Sequence, residues 1–154
     1  LRDMSRISSE TKKLVSFGEI TRELVQQHVT KDVEYAVFDL SDAISEKNAA
    51  KSIEIIQALL NGGEDAVKII ITLYNFYRRM FYAATGDCGT EELSRLFNVK
   101  PYAIKRAAQT ASRYTPAQLK QALELAAKAE KDLRDFSVND RETVRALVLN
   151  LLCV

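Results

Sequence analysis

The sequence is poor in the residues that carry metal chemistry and covalent cross-links. Its 154 residues include two cysteines, one histidine and no tryptophan. Cys88 and Cys153 lack the even, regularly spaced set of a disulfide-stabilised domain, and His28 does not complete a zinc site with them. We therefore expect reduced thiols, a cytoplasmic protein, no bound metal and a surface position for His28.

Long apolar runs, helix-breaking residues and an excess of one charge are also missing. No segment approaches the ~18 consecutive apolar residues of a membrane span. The formal net charge is +1, so the chain as a whole does not indicate a polyanionic partner. Only two prolines and five glycines interrupt segments rich in helix-favouring residues, which predicts an all-α fold. Because the chain starts at Leu1 without a methionine or a signal peptide, we expect a piece of a longer protein.

Apolar residues recur three or four positions apart in two consecutive segments, which is the spacing of one face of a helix. Asp32 and Asn48 are placed to cap these helices, and Gly62 stands where a glycine would end the second. The two helices should form a hairpin. The predicted core positions are Val33, Val37, Leu40 and Ile44 in the first helix and Ala49, Ile53, Ile56 and Leu60 in the second.

Residues 64–85 predict one long helix that is apolar around most of its circumference. Glu64 and Asp65 lie at its start, where acidic side chains interact favourably with the helix dipole. Such a helix is either central to its domain or shared with a neighbouring chain. Its polar stripe is expected to be Lys68, Thr72, Asn75 and Arg79.

Capping residues and prolines divide the rest of the chain. Thr90 is a candidate N-cap, Pro101 suits a first helical turn, and residues 115–118 (Thr-Pro-Ala-Gln) form a capping box. Asn139 repeats the capping pattern before the last helix, for which Val144, Leu147, Val148, Leu151 and Leu152 would form the core face. We expect helices at residues 91–97, 101–113 and 116–135 and after Asn139, preceded by a helix over residues 1–17 and a short one capped by Thr21.

The middle of the chain is basic although the whole is nearly neutral. No acidic residue occurs between Glu92 and Glu124. Such a surface suits phosphate or an acidic protein, unless carboxylates from elsewhere in the fold lie across from it. The basic residues of this window are Arg95, Lys100, Lys105, Arg106, Arg113 and Lys120.

Residues 93–108 are similar to a helix-turn-helix. Asn98 would form the turn, and Lys100, Tyr102, Lys105 and Arg106 would lie near the start of a recognition helix. A short helix, a tight turn and a second helix also occur wherever a helical bundle turns a corner. We keep a DNA-binding regulator that uses residues 93–113 as the alternative function. Its expected core is Leu93, Leu96, Val99 and Ile104, and the short helix would also turn Phe97 inward.

Charged residues elsewhere show no catalytic or nucleotide-binding pattern. Gly62 and Gly63 precede two acidic residues, which is the wrong charge beside a phosphate, so we expect no nucleotide and no other cofactor. Arg78 and Arg79 lie in the apolar long helix, where they either face a carboxylate of another subunit or extend to solvent. Three acidic residues on one helix, Asp39, Asp42 and Glu46, are interpreted as a solvated face.

Residues 35–64 carry an ordered set of apolar and turn residues. Phe38, Leu40 and Ala43 fall in the first helix of the hairpin, and the second ends in Leu59 and Leu60 before Gly63 and Glu64. In this order and spacing the segment resembles the start of the C-terminal collar domain of the delta subunit of the bacterial DNA polymerase III clamp loader. The resemblance continues at Leu73, Tyr77 to Arg79, Tyr102, Lys105, Tyr114, Thr115, Leu119, Leu123, Asp132 and Leu133.

The resemblance covers essentially the whole chain and implies two domains. Residues 10–30 look like the end of the small helical lid domain of an AAA+ module. The expected organisation is therefore the end of a lid at residues 1–31 and a helical collar bundle at residues 32–154. One departure precedes the last helix, where family members often have Leu-Lys-x-Gly and this chain has Leu133-Arg134-Asp135-Phe136.

The resemblance implies an assembly role in DNA replication, without intrinsic catalysis, inside the DNA polymerase III holoenzyme. Collar domains of the loader subunits pack in a ring, so the implied partners are subunits of the gamma/tau and delta-prime types, and DNA through the complex. The sliding clamp would contact only a region N-terminal to this chain, and the implied location is the nucleoid-associated replication machinery. The expected contacts to a partner or nucleic acid are Arg78, Arg79, Arg95, Lys100, Tyr102, Lys105, Arg106, Arg113 and Lys120.

Overall fold

The computed structural model describes residues 33–133 and 139–154, together with Ser8, Thr11, Lys12 and Val15. The chain divides into two compact units, Leu1–Asp32 and Val33–Val154. Several expectations fall outside the described residues: the full extent of the helix over residues 1–17, the caps at Thr21 and Asp32, the position of His28 and the turn at 134–136.

Residues 33–133 and 139–154 are helical apart from short turns, and no strand occurs among them. The prediction of an all-α fold is therefore confirmed. The helices are α1 (Val33–Ser45), α2 (Ala49–Asn61), α3 (Ala66–Thr85), α4 (Thr90–Leu96), α5 (Pro101–Ala111), α6 (Pro116–Asp132) and α7 (Asp140–Leu152).

The long helix α3 is the centre of this unit, because it packs against α1, α4, α5, α6 and α7. It is not fully enclosed, since Ile71 and Tyr82 keep about two fifths of their surface exposed. The predicted polar stripe is wrong at Arg79, which is only 4% exposed, whereas Lys68 and Asn75 face solvent. The buried apolar residues of α3 are Ala66, Ile69, Ile70, Leu73, Phe76, Tyr77 and Met80.

The α1–α2 hairpin forms as predicted, but the core face of α2 is rotated. Asn48 caps α2 by accepting a hydrogen bond from the Lys51 amide at 3.1 Å. Ala49 and Ile53, two expected core positions, are exposed. Ser52 is buried instead, which is possible because its hydroxyl donates a hydrogen bond to the Asn48 carbonyl at 2.8 Å. The residues that α1 buries include Val33, Val37, Leu40 and Ile44, and those that α2 buries are Ser52, Ile56, Leu59 and Leu60.

The end of α2 differs from the prediction by one residue. Gly62 keeps right-handed helical backbone angles, and Gly63 adopts the left-handed conformation with φ 83°. The Glu64 amide donates to the Leu59 carbonyl at 3.1 Å and the Gly63 amide to the Leu60 carbonyl at 3.4 Å. This is the Schellman arrangement, which needs its glycine one position beyond the one chosen from sequence.

The starts of the later helices follow the predicted signals with one exception. Thr115 and Gln118 form both hydrogen bonds of the capping box, and Asn139 caps α7. Thr90 is not an N-cap, because α4 already includes it and Gly89 occupies the cap position without a side-chain hydrogen bond. The expected inward face of α7 is buried at Val144, Leu147, Val148 and Leu151, and partly buried at Leu152.

Candidate interaction surfaces

Asp42 of α1 is a structural partner of helix α5. Its carboxylate accepts hydrogen bonds from the Arg106 guanidinium and, at 2.9 Å, from the Thr110 hydroxyl. The Asp42 side chain is only 22% exposed. The interpretation of this residue as part of a solvated face was therefore wrong, because the spacing within one helix does not show what a distant helix brings to it.

Arg113 follows the end of α5 and joins the same network. Its Nη1 donates to the Ser45 hydroxyl at 2.7 Å and to the Glu46 carboxylate at 3.2 Å, and it lies 3.8 Å from Asp42. Two basic residues of the acid-free window, Arg106 and Arg113, thus face carboxylates supplied by α1. For them, the structure favours a role inside the fold over contact with DNA or a partner.

Lys120 lies outside this network. It is mostly exposed and forms an ion pair with Glu124, one helical turn later, at 3.9 Å. Exposed pairs of this kind contribute little to stability, so the pair leaves Lys120 available at the surface.

The remaining cations of the window surround the turn between α4 and α5. Arg95, Lys100 and Lys105 are exposed, and within the described part of the chain none of them forms an ion pair. Tyr102 is also exposed. These side chains place positive charge at the turn, although the net charge of the whole chain is nearly neutral.

The helix-turn-helix interpretation has an incomplete core. Asn98 forms the turn with φ 50°, and Leu93 and Ile104 are buried as expected. Leu96, however, is 62% exposed, so the prediction that it faces inward was wrong. Arg106, assigned to the recognition helix, is instead bound to Asp42 of α1. Both differences weaken a base-reading role for this segment.

The two adjacent arginines of α3 have different surroundings. The Arg79 guanidinium lies inside the bundle, 6.0 Å and 5.8 Å from the ring centroids of Phe38 and Phe76. Arg78 is partly exposed, and its guanidinium lies 5.2 Å from the centroid of the Phe97 ring. Of this pair, therefore, Arg78 alone offers surface to another molecule.

A groove between α2 and α7 was not foreseen from the sequence. Its cavity has a volume of about 140 Å³, and the exposed Ile53 and Leu149 lie on opposite walls. The available signal was the width of the apolar stripe on α2, which exceeds the face that the bundle buries. We call this surface the α2–α7 groove; it is lined by Ile53, Ile56, Gln57, Arg145, Val148 and Leu149.

Two cysteines and two tyrosines lie outside these surfaces and bear on the chemistry of the chain. Cys88 and Cys153 are exposed free thiols, and the negative charge of Glu92 raises the pKa of Cys88. Burial raises the pKa of Tyr77 well above its ordinary value, and also raises that of the neighbouring Tyr114. In the described residues we find no group of three His, Cys, Asp or Glu side chains arranged for a metal ion.

None of the described helices is both long enough and apolar enough to span a membrane.

These observations define an all-helical bundle, organised around α3, with apolar side chains left on its surface. The family model for the C-terminal domain of the DNA polymerase III delta subunit matches residues 34–151. The chain belongs to this family, and the resemblance noted from the residues is confirmed.

Two similar proteins are longer than this chain. It is 24% identical over 156 aligned residues to the DNA polymerase III subunit delta of Bacillus subtilis (strain 168), with 97% of this chain and 45% of the relative covered. The solved structure of the Bacillus subtilis DNA clamp loader delta protein matches with a TM-score of 0.75 at 23% identity, over 95% of this chain and 45% of that one. The chain thus spans slightly less than half the length of each of these two proteins.

Proposed function

We propose that this chain is the C-terminal part of a clamp-loader delta subunit and that it joins this subunit to the other proteins of the loader. The observation that carries the proposal is the family match over residues 34–151. The role requires no chemistry of the chain itself, only a stable bundle and a surface for neighbouring subunits. The helix-turn-helix regulator is not retained, because no observation favours it.

The α2–α7 groove is the contact that we propose for a neighbouring loader subunit. Ile53 is 40% and Leu149 52% exposed, and Arg145 is the one charged residue among the six that line the groove. The Arg145 guanidinium already donates to Glu142 at 2.7 Å, so the groove does not require a charged ligand. Covering two half-exposed aliphatic side chains contributes about 1 kcal/mol each, which suits the apolar face of a helix from the partner.

The domain boundaries, the partner types and the location in this proposal are those that the family implies. Residues 1–31 would be the end of an AAA+ lid and residues 32–154 the collar, with partners of the gamma/tau and delta-prime types in the nucleoid-associated replication machinery. Contact with the sliding clamp would belong to the region N-terminal to this chain. Among the predicted contact residues, Arg79 is buried, and Arg106 and Arg113 are bound to carboxylates of α1. Those that remain for a partner are Arg78, Arg95, Lys100, Tyr102, Lys105 and Lys120.

Sedimentation velocity of the full-length protein, mixed with purified gamma/tau-type and delta-prime-type subunits, tests the assembly role. We expect a species heavier than any single component. It should form in the absence of DNA, and its formation should not require this chain to bind or hydrolyse a nucleotide. A mixture in which every component sediments as it does alone would overturn the proposal.

A further inference from the structure

A second surface, distinct from the α2–α7 groove, lies where the C-terminal half of α3 meets α4. The Tyr82 and Phe97 rings make an edge contact with centroids 5.6 Å apart, and the Arg78 guanidinium lies over Phe97. Leu96 and Arg95 precede Phe97 and are both exposed. We call these five residues, Arg78, Tyr82, Arg95, Leu96 and Phe97, the α3–α4 corner.

The corner combines a large apolar area with positive charge. Leu96 has the largest exposed fraction, 62%, among the exposed large apolar side chains of residues 33–133 and 139–154, and Tyr82 is also exposed. Arg78 and Arg95 form no ion pair within the described part of the chain. Lys100 adds a further exposed cation to the turn that follows. Exposed apolar side chains next to unpaired cations are features of a binding surface rather than of an ordinary solvated one.

Contacts within the chain hold the Phe97 side chain in place in the absence of a partner. Its ring is flanked by Arg78 and by Tyr82, and its amide donates to the Leu93 carbonyl at 2.9 Å. Leu93 itself is buried. Side chains that are already ordered lose less entropy on binding, which favours recognition at this position.

We propose that the α3–α4 corner binds an acidic protein segment that carries an apolar side chain. Aspartate or glutamate residues of the segment would pair with Arg78 and Arg95, and its apolar side chain would cover Leu96 and Tyr82. The charge argument alone would also suit a nucleic acid. The exposed aliphatic Leu96 favours a protein, because single-stranded nucleic acids are bound through cations and aromatic stacking. This inference goes beyond the proposed function, because it gives Arg78 and Arg95 a ligand of stated chemistry at a surface separate from the α2–α7 groove.

The test is a fluorescence-anisotropy titration of the full-length protein with three labelled probes. The first is a short synthetic peptide of alternating leucine, phenylalanine and glutamate; the second has lysine in place of each glutamate; the third is an oligo-dT strand. We expect saturable binding of the glutamate peptide and at least about tenfold weaker binding of the other two.

Two variants locate the binding and a third controls for general effects. Arg95→Glu and Leu96→Ser should each weaken binding of the glutamate peptide by about tenfold or more, and both positions are exposed, so the fold should persist by circular dichroism. Ile71→Ser, a change at an exposed aliphatic residue of α3 that belongs to neither proposed surface, should leave the affinity unchanged.

Three results would overturn the inference: no binding of the glutamate peptide, equal binding of the lysine peptide, or tighter binding of oligo-dT that is lost in Arg95→Glu. The last would instead identify a nucleic-acid surface. Because none of these results depends on loader assembly, they are distinguishable from a failure of the proposed function.

Discussion

The Arg106 guanidinium of α5 binds the Asp42 carboxylate of α1, and the two residues are 64 positions apart in the sequence. Thr110, one turn further along α5, donates to the same carboxylate. A charged hydrogen-bond network therefore joins the first hairpin to the basic middle of the chain. It also explains why this basic segment is less available to a polyanion than its composition suggests.

Replacing Asp42 by Asn should destabilise the bundle. The change removes charged hydrogen bonds that contribute roughly 1 to 3 kcal/mol, and partial exposure of the pair favours the lower part of this range. Urea unfolding followed by circular dichroism measures the effect. Glu124→Gln, which removes an exposed pair, is the control and should change the free energy of unfolding by less than about 0.5 kcal/mol. Equal effects of the two changes would refute a structural role for Asp42.

Two threonines near helix starts should differ in their contribution to stability. Thr115→Ala removes the capping box of α6 and should cost about 1 kcal/mol. Thr90→Ala should cost clearly less, because Thr90 is the first residue of α4 and Gly89 holds the cap position. Thermal unfolding of both variants checks the order, and a larger loss for Thr90→Ala would show that the cap is misassigned.

The buried Tyr77 should make stability fall in alkaline solution. Burial raises its folded-state pKa above the ordinary value of 10.0, so the unfolded chain releases this proton first. The resulting stabilisation is complete below about pH 10 and is lost as pH rises through the folded pKa. Tyr77→Phe should weaken this alkaline loss in urea titrations between neutral and alkaline pH.

At neutral pH the same variant should be within about 1 kcal/mol of the wild type. The buried Tyr77 hydroxyl interacts with the Tyr114 hydroxyl but makes no hydrogen bond of ordinary geometry, so removing it gives up at most this weak contact. Tyr114, whose pKa burial also raises, remains in the variant, and part of the alkaline effect should persist. An unchanged alkaline slope would show that Tyr77 does not titrate differently on unfolding.

Cys88 should react faster with iodoacetamide once Glu92 is neutralised. The Glu92 carboxylate is the main reason that the pKa of Cys88 is raised, and the thiolate is the reactive form. Glu92→Gln should therefore increase the alkylation rate at Cys88 at mildly alkaline pH, measured by mass spectrometry. Cys153, also exposed, serves as an internal reference whose rate should not change.

Local signals in the sequence predicted the helices well. The capping box at Thr115, the Asn48 and Asn139 caps and Pro101 at the start of α5 depend on neighbouring residues alone. Periodicity likewise placed Val37, Leu40 and Ile44 in the core. The caps and the proline could be predicted because their energetics are local. The core residues could be predicted because a strongly apolar helix face is stable only when it is buried against the core.

The surfaces were harder to predict because they depend on distant parts of the chain. Asp42 acquires its partners from α5, and Leu96 is left outside because Leu93 and Ser94 supply the buried face of the short helix α4. The core assignment of Ile53 is wrong because apolar spacing does not distinguish residues that the bundle buries from apolar residues left on its surface. Similarly, the one-residue shift from Gly62 to Gly63 follows from backbone hydrogen bonds at the end of α2.

The affinity of a Leu149→Asp variant for the other loader subunits tests whether the α2–α7 groove joins this chain to the loader. Leu149 is half-exposed, so the variant should fold, while a charge in the groove would have to be desolvated on docking. Sedimentation velocity should show at least about tenfold weaker assembly than the wild type, whereas Ile71→Asp, the same type of change at an exposed aliphatic residue outside both proposed surfaces, should assemble normally. Assembly of Leu149→Asp with wild-type affinity would show that the groove is not the contact.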